Sequence, residues 1–110
     1  MSKKGVFFKI DLLILLVLKH EDCYGYEIAQ NIKKYTDNVI SIKEGTMYPI
    51  LWKLMEEKKI TSYDKVFNGR NRVYYHLEPS GILYLNELIK EFTLNTAKII
   101  NFIDKIEGEK

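Results

Sequence analysis

The sequence is poor in the residues that build disulfide-bonded or metal-held folds. Its 110 residues include one cysteine, Cys23, and two histidines. This excludes a disulfide framework and a cysteine-rich zinc site. The longest apolar run, from Leu12 to Leu18, is far shorter than the roughly 20 residues that cross a bilayer. We therefore expect a cytoplasmic protein that needs no metal ion or other cofactor and does not bind a membrane.

Catalytic constellations are also missing from the sequence. It shows no nucleophile paired with a base, no glycine loop that would cradle a phosphate and no carboxylate pair at an informative spacing, so we expect no enzyme. The charge is uneven: residues 1–76 hold 13 Lys and Arg against 9 Asp and Glu, whereas residues 77–110 hold 4 against 6. A basic first part with an acidic tail is a weak indication of nucleic-acid binding.

Apolar periodicity predicts two helices in the first third of the chain. Residues 7–20 are apolar nearly all round, which is typical of a buried helix, and a second helix follows over residues 26–35. Between them, residues 21–25 form a polar break that contains a turn glycine. After the second helix, residues 36–43 form a short connection that has room for an extended stretch at 39–42.

A third helix is predicted from Thr46, whose hydroxyl can cap a free amide of the first turn. Pro49 is tolerated early in this helix because first-turn amides have no acceptor within the helix. The helix is expected to end near Lys59. One stripe of it is apolar and suits packing: Met47, Ile50, Leu51 and Leu54.

A β-hairpin is predicted next, with strands over residues 60–67 and 70–77 around the two-residue turn Asn68-Gly69. This turn sets a register with the pairs Phe67 and Arg70, Lys65 and Arg72, and Ile60 and Leu77. Alternation then places apolar residues on one face: Ile60, Val66, Val73, Tyr75 and Leu77. The opposite face is basic near the tip and carries Lys65, Arg70 and Arg72.

The last helix opens at Pro79 and carries a heptad seam. All but one of the seam positions are apolar, with Thr96 as the exception: Ile82, Leu85, Ile89, Phe92, Thr96, Ile99, Ile103 and Ile106. A helix of about 25 residues is about 38 Å long, too long for a small module to cover. A second copy of the chain would cover the remaining stripe, so we expect a homodimer.

The order of elements, three helices, a hairpin and a long helix, predicts a mainly α fold with a small hairpin. It matches a winged helix-turn-helix domain over residues 1–78 followed by a dimerisation helix over 79–110. Three segments resemble the signature blocks of PadR-family transcriptional regulators: Gly25-Tyr26-Glu27-Ile28, Glu44-Gly45-Thr46-Met47-Tyr48-Pro49-Ile50-Leu51 and Gly69-Arg70-Asn71-Arg72-Val73-Tyr74-Tyr75-His76-Leu77. The resemblance implies a bacterial dimeric repressor of the compact subgroup, which binds a pseudo-palindromic operator on double-stranded DNA.

Candidate DNA-contacting residues lie on the second and third helices and on the hairpin: Tyr26, Gln30, Thr46, Tyr48, Lys53, Lys65, Arg70 and Arg72. Several have a plainer interpretation. Tyr48 can contact a phosphate or a base edge, or can be a partly buried aromatic residue. The arginines can bind DNA, or can belong to a solvated hairpin. A competing function is a protein-binding module in which Tyr48, Trp52 and the wing form an apolar patch.

The resemblance also implies a small aromatic or phenolic effector bound between the two C-terminal helices. Such pockets often contain a tryptophan on the last helix, and this chain has none there. Phe92 is the nearest aromatic residue, with Phe7 or Phe8 as partners across the dimer. Phe92 can equally be a core residue of the seam. A phenyl ring stacks but donates no hydrogen bond and offers a smaller surface than an indole, which disfavours recognition of varied flat drugs.

Overall fold

A computed structural model describes residues 8–109 as a mainly helical chain with a three-stranded antiparallel sheet. The helices are α1 (Ile10–His20), α2 (Gly25–Tyr35), α3 (Glu44–Glu56) and α4 (Pro79–Gly108), and the strands are β1 (Cys23–Tyr24), β2 (Ile60–Phe67) and β3 (Arg70–Leu77). The strand order is β1-β3-β2. This confirms the predicted winged helix-turn-helix with a long C-terminal helix.

The core lies where α1, α2, α3, the base of the hairpin and the start of α4 meet. All of these elements contribute fully buried side chains, among them Ile14, Leu15, Ile28, Met47, Leu51, Leu54, Ile60 and Leu85. Tyr84 fastens α4 to α1, because its hydroxyl donates a hydrogen bond of 3.0 Å to Asp11 Oδ2. Of the helices described, none combines the length and the hydropathy needed to cross a membrane.

The hairpin has the predicted register. Phe67 lies opposite Arg70, Lys65 opposite Arg72, and Ile60 opposite Leu77. Only the base of its apolar face packs on the core, however. Val66 is 68% exposed and Val73 is 45% exposed. The strands run past the edge of the core, so the outer half of the hairpin projects as a wing.

The connections contain one element that the sequence did not predict. The polar break at residues 21–25 holds the short strand β1, in which Cys23 pairs with Tyr75 and Tyr24 with Tyr74. A two-residue strand has too few positions to show alternation, so it left no pattern to detect. Residues 39–42, where the sequence leaves room for an extended stretch, form no strand. Its β-branched residues pack as a loop, with Ile40 and Ile42 against the core.

The bounds of α3 also differ from those predicted. The helix begins at Glu44 with Lys43 as its N-cap, so Thr46 lies in the first turn and is not the cap. It ends at Glu56 rather than near Lys59, because Lys58 adopts a left-handed conformation with φ of 60°. The Lys59 amide then bonds to the Leu54 carbonyl and the Lys58 amide to the Met55 carbonyl, the pattern of a Schellman motif.

The outer helices differ from expectation in length. The first helix begins at Ile10, and Phe7 lies outside the described residues. Pro79 is in the first turn of α4, as predicted, but α4 has 30 residues, which makes it about 45 Å long. Its last buried side chain is Leu88, so the second half of the helix extends beyond the core.

Candidate nucleic-acid interface

The surface of α3 carries the residues predicted from its sequence. Met47, Leu51 and Leu54 are buried, which turns Thr46 and Lys53 towards solvent. Thr46 and Lys53 are two helical turns apart on one side of α3 and can face a groove together. Trp52 lies beside Lys53 and is 61% exposed. The exposed side of α3 therefore presents a hydroxyl, an ammonium group and a large ring.

Tyr48 is half-buried and packs across the start of α2. A β-carbon built on Gly25 would lie 2.8 Å from Tyr48 Cζ, so the absence of a side chain at Gly25 makes room for the ring. Burial, followed by the charge of Glu44, raises the pKa of the Tyr48 hydroxyl. Tyr48 thus sets the packing of α3 on α2.

The two candidates on α2, Tyr26 and Gln30, lie one helical turn apart and are both exposed. Ile28 and Ile32, on the other side, are buried in the core. Both candidates therefore lie on the outer surface of α2.

The basic residues of the wing have three different environments. Arg70 is exposed next to the turn. Lys65 is also exposed, with its Nζ 5.2 Å from the centre of the Tyr74 ring. Arg72 is half-buried, and its guanidinium carbon lies 4.3 Å from the centre of the Tyr24 ring. Two of the three cations are thus seated on aromatic rings.

These rings belong to a row of tyrosines that the sequence-based interpretation missed. Tyr24, Tyr74 and Tyr63 lie side by side across the three strands, on the same face as the basic residues. The Tyr63 and Tyr74 rings stack with centroids 5.7 Å apart, and Tyr24 meets Tyr74 edge to face at 5.4 Å. The predicted hairpin register already placed Tyr63 and Tyr74 beside Lys65 and Arg72, so alternation alone could have found two members of this row.

Asp22 anchors the base of the wing. Tyr63 Oη donates a hydrogen bond of 2.7 Å to Asp22 Oδ2, and His76 Nδ1 lies 2.9 Å from Asp22 Oδ1. Burial by itself would raise the pKa of Asp22, but the hydrogen bonds from His76 and Tyr63 bring it below its ordinary value. The bond to Asp22 raises the pKa of His76. One carboxylate before β1 therefore holds both strands of the hairpin.

The predicted seam of α4 divides into two parts. Leu85 is completely buried within its own chain. A second copy of the chain is not needed to cover it, so Leu85 is not part of the proposed interface. Ile89 and Phe92 pack partly against the core. The other apolar seam positions are exposed: Ile82 by 38%, Ile99 by 46%, Ile103 by 53% and Ile106 by 44%. An apolar stripe thus continues along the projecting half of α4.

Of the expected effector-pocket residues, Phe8 and Phe92 meet within one chain. Their rings pack edge to face with centroids 5.9 Å apart, whereas the expectation placed them across a dimer. Phe7 lies outside the described residues. A half-open apolar groove of about 420 Å³ lies elsewhere, between α1 and α2, and the sequence-based interpretation missed it. Its lining is Leu13, Leu16, Val17, His20, Ile32, Tyr35 and Thr36.

Cys23 is buried, and burial raises the pKa of its thiol to about 11, which keeps it a thiol at neutral pH. Over residues 8–109, no group of three or more His, Cys, Asp or Glu side chains is arranged to hold a metal ion.

Both the sequence and the fold are similar to those of known proteins. The sequence model of the PadR-like family of transcriptional regulators matches residues 14–87. A transcriptional regulator from Clostridium thermocellum is 39% identical, with 84% of this chain and 89% of that chain covered and a TM-score of 0.74. A PadR-family regulator from Clostridium difficile is 33% identical, with coverages of 86% and 97% and a TM-score of 0.75.

A further relative was solved together with DNA. It is Bacillus subtilis PadR in complex with operator DNA, which is 27% identical with a TM-score of 0.65. The match covers 73% of this chain and 46% of that chain.

Proposed function

Because the chain belongs to the PadR-like family of transcriptional regulators, we propose that it is a homodimeric repressor that binds a pseudo-palindromic operator. In this proposal α3 enters the major groove and the wing contacts the DNA backbone or the minor groove. The observation that carries the proposal is the relative solved with operator DNA, which has the same fold over most of this chain.

Exposed polar and basic side chains on α2, α3 and the wing support this proposal. Thr46 and Lys53 are exposed on α3, and Tyr26 and Gln30 on α2. The wing adds its three cations, Lys65, Arg70 and Arg72. Phosphate contacts from such residues position a protein on the duplex, whereas contacts from α3 to base edges select the sequence.

The apolar stripe of α4 supports a dimer. Ile99, Ile103 and Ile106 are each between 44% and 53% exposed on a helix that extends past the core. Burying them against a second α4 removes apolar surface from water at about 25 cal/mol per Å². A two-fold dimer would set its two recognition helices, the α3 helix of each protomer, about 34 Å apart, which matches half-sites one DNA turn apart.

We extend the proposal to an effector of small aromatic or phenolic type. Phe92 is half-buried on α4, where it packs edge to face on Phe8, and it lies one heptad before the exposed Ile99. A ligand that binds there releases DNA only if it prefers one separation of the two DNA-binding domains over another.

A titration with duplex DNA at several salt concentrations tests DNA binding. Neutralising Z phosphates gives a slope of log affinity against log salt of about −0.9Z. Selection of bound sites from a random pool of duplexes then tests the operator. Recovery of two related half-sites with a common spacing is expected, and recovery of a single asymmetric site contradicts the dimeric arrangement.

A second candidate function is favoured by Trp52, which is 61% exposed on α3. A large exposed ring is typical of a surface that binds another protein. A winged-helix module of that kind would show weak DNA affinity that barely changes with salt. The same titration therefore separates the two functions.

A further inference from the structure

Tyr24 takes part in three structural features: the start of α2, the strand β1 and a contact with Arg72. Its backbone is the N-cap of α2, where its amide donates a hydrogen bond of 3.3 Å to Glu27 Oε1. As a residue of β1 it pairs with Tyr74 of the hairpin. Its ring lies 4.3 Å from the guanidinium carbon of Arg72. Tyr24 thus connects the start of α2 directly to a cation of the wing.

The side chain of Arg72 is held without a carboxylate. The ion pairs among the described residues are Lys59 with Glu57 and His76 with Asp22, and neither includes Arg72. The Nε atom of Arg72 is shielded from solvent and has no hydrogen-bond partner within residues 8–109. The terminal guanidinium nitrogens are the donors that remain for an external anion.

Seating a guanidinium on a ring differs from pairing it with an acid. A carboxylate would neutralise the charge and occupy the donors, whereas a ring covers one face and leaves the charge in place. The ring also limits the rotamers of a long side chain, so less conformational entropy is lost when the donors bind a phosphate.

We propose that Tyr24 is a positioning residue for DNA binding, whose ring holds the Arg72 guanidinium at a fixed place relative to α2 so that it meets a backbone phosphate. The inference deepens the proposed function and rests on it. In this inference Tyr24 acts through the Arg72 guanidinium, which is the group that contacts the phosphate.

The test compares Tyr24→Leu, Tyr24→Phe and Arg72→Ala with the wild-type protein, each against a fluorescein-labelled duplex of mixed sequence over a range of salt. Arg72→Ala is expected to reduce the steepness of the salt dependence by about 1. Tyr24→Leu is expected to reduce it similarly and to weaken binding about threefold to tenfold, the range of an exposed to partly buried cation–π contact. Tyr24→Phe keeps the ring and is expected to bind within about twofold of wild type.

Double variants separate positioning from a general structural effect. Tyr24→Leu should have almost no further effect on binding in the Arg72→Ala background, because the positioned group is already gone. Arg70 supplies the matched control. It is exposed at the wing tip, so Tyr24→Leu should weaken binding in the Arg70→Ala background by the same factor as in wild type.

Two results would overturn the inference and leave the proposed function intact: Tyr24→Leu binding like wild type, or the same loss with and without Arg72. Failure of the wild-type protein to bind the duplex at low salt would overturn the proposed function and the inference together. If Tyr24→Leu does not fold, the wild-type protein supplies the test by NMR. The Arg72 side-chain protons should show upfield ring-current shifts that persist when DNA is added. Arg72 protons without such shifts would refute the contact between the guanidinium and the Tyr24 ring.

Discussion

The Tyr48 ring lies against the α-carbon of Gly25 so closely that any β-carbon at position 25 would stand 2.8 Å from Tyr48 Cζ and nearer still to the hydroxyl oxygen. The contact joins the first residue of α2 to α3. Gly25 leaves the space that the Tyr48 ring fills.

Gly25→Ala is expected to destabilise the fold by about 1–3 kcal/mol, the usual range for adding a methyl group to a packed contact. Helix propensity alone favours alanine over glycine, so the sign of the change distinguishes crowding from propensity. Urea unfolding measures it. Tyr48→Phe is the matched background, because it removes the hydroxyl nearest to the new methyl group and should recover part of the loss. A Gly25→Ala protein at least as stable as wild type would show that the contact relaxes freely.

The elements that could be predicted from the sequence were those with a periodic pattern or strong turn residues. The hairpin around Asn68-Gly69 agrees with the structure in every predicted pair, because a two-residue turn leaves no freedom of register. The end of α3 was missed because its left-handed position is occupied by Lys58 where a glycine would have marked it. α2 also ends before a left-handed residue, Asp37 with φ of 51°, but its predicted end at residue 35 agrees with the structure.

For the candidate site, the exposure of side chains on the helices could be predicted from the sequence, but their contacts could not. Which side chains are exposed on α2 and α3 follows from helical spacing. That Arg72 is seated on Tyr24 required the strand β1, because only this pairing brings residue 24 beside the hairpin. The complete burial of Leu85 likewise depends on how α4 docks on α1, which the heptad pattern does not contain.

Lys58→Gly is expected to stabilise the protein by about 0.5–1 kcal/mol. Lys58 closes the Schellman motif of α3 with φ of 60°, a conformation that glycine adopts without steric cost. Lys58→Ala is the control, because it removes the same side chain and keeps the β-carbon. Thermal unfolding of both variants measures the difference. Equal melting temperatures would mean that the left-handed conformation carries no strain that glycine relieves.

The link between Asp22 and His76 should depend on pH. Because the pKa of His76 is raised in the folded protein, its interaction with Asp22 stabilises the fold fully below the ordinary imidazole pKa of 6.5. This stabilisation is lost as pH rises through the pKa that His76 has in the folded protein. Because the pKa of Asp22 is lowered in the folded protein, its carboxylate stabilises the fold at pH values above the ordinary pKa of 3.8. This stabilisation is lost as pH falls through the pKa that Asp22 has in the folded protein. The wing is therefore held most firmly in the interval between them.

NMR titration of the His76 ring checks this dependence. In Asp22→Asn the pKa of His76 should fall below that of the wild-type protein, because the hydrogen bond that raises it is weakened and the neighbouring charge is gone. Tyr63→Phe is the matched control: it removes the other hydrogen bond to Asp22 and leaves the one to His76. The pKa of His76 should stay raised in that variant. An unchanged pKa in Asp22→Asn would mean that this contact does not persist in solution.

Ile99→Glu tests the proposed dimer most directly. Ile99 is 46% exposed in one chain and lies in the part of the seam that its own core does not cover, so the substitution should leave the folded protomer intact. A buried carboxylate without a partner costs several kcal/mol, which is enough to dissociate a dimer of ordinary affinity. Light scattering should report half the wild-type mass, and DNA affinity should fall because two linked half-site contacts become one. Asn101→Glu places the same charge on the opposite side of α4 and should change neither mass nor affinity. If Ile99→Glu kept the wild-type mass, the exposed seam of α4 would not be the interface, and the spacing of recognition helices proposed from it would have no basis.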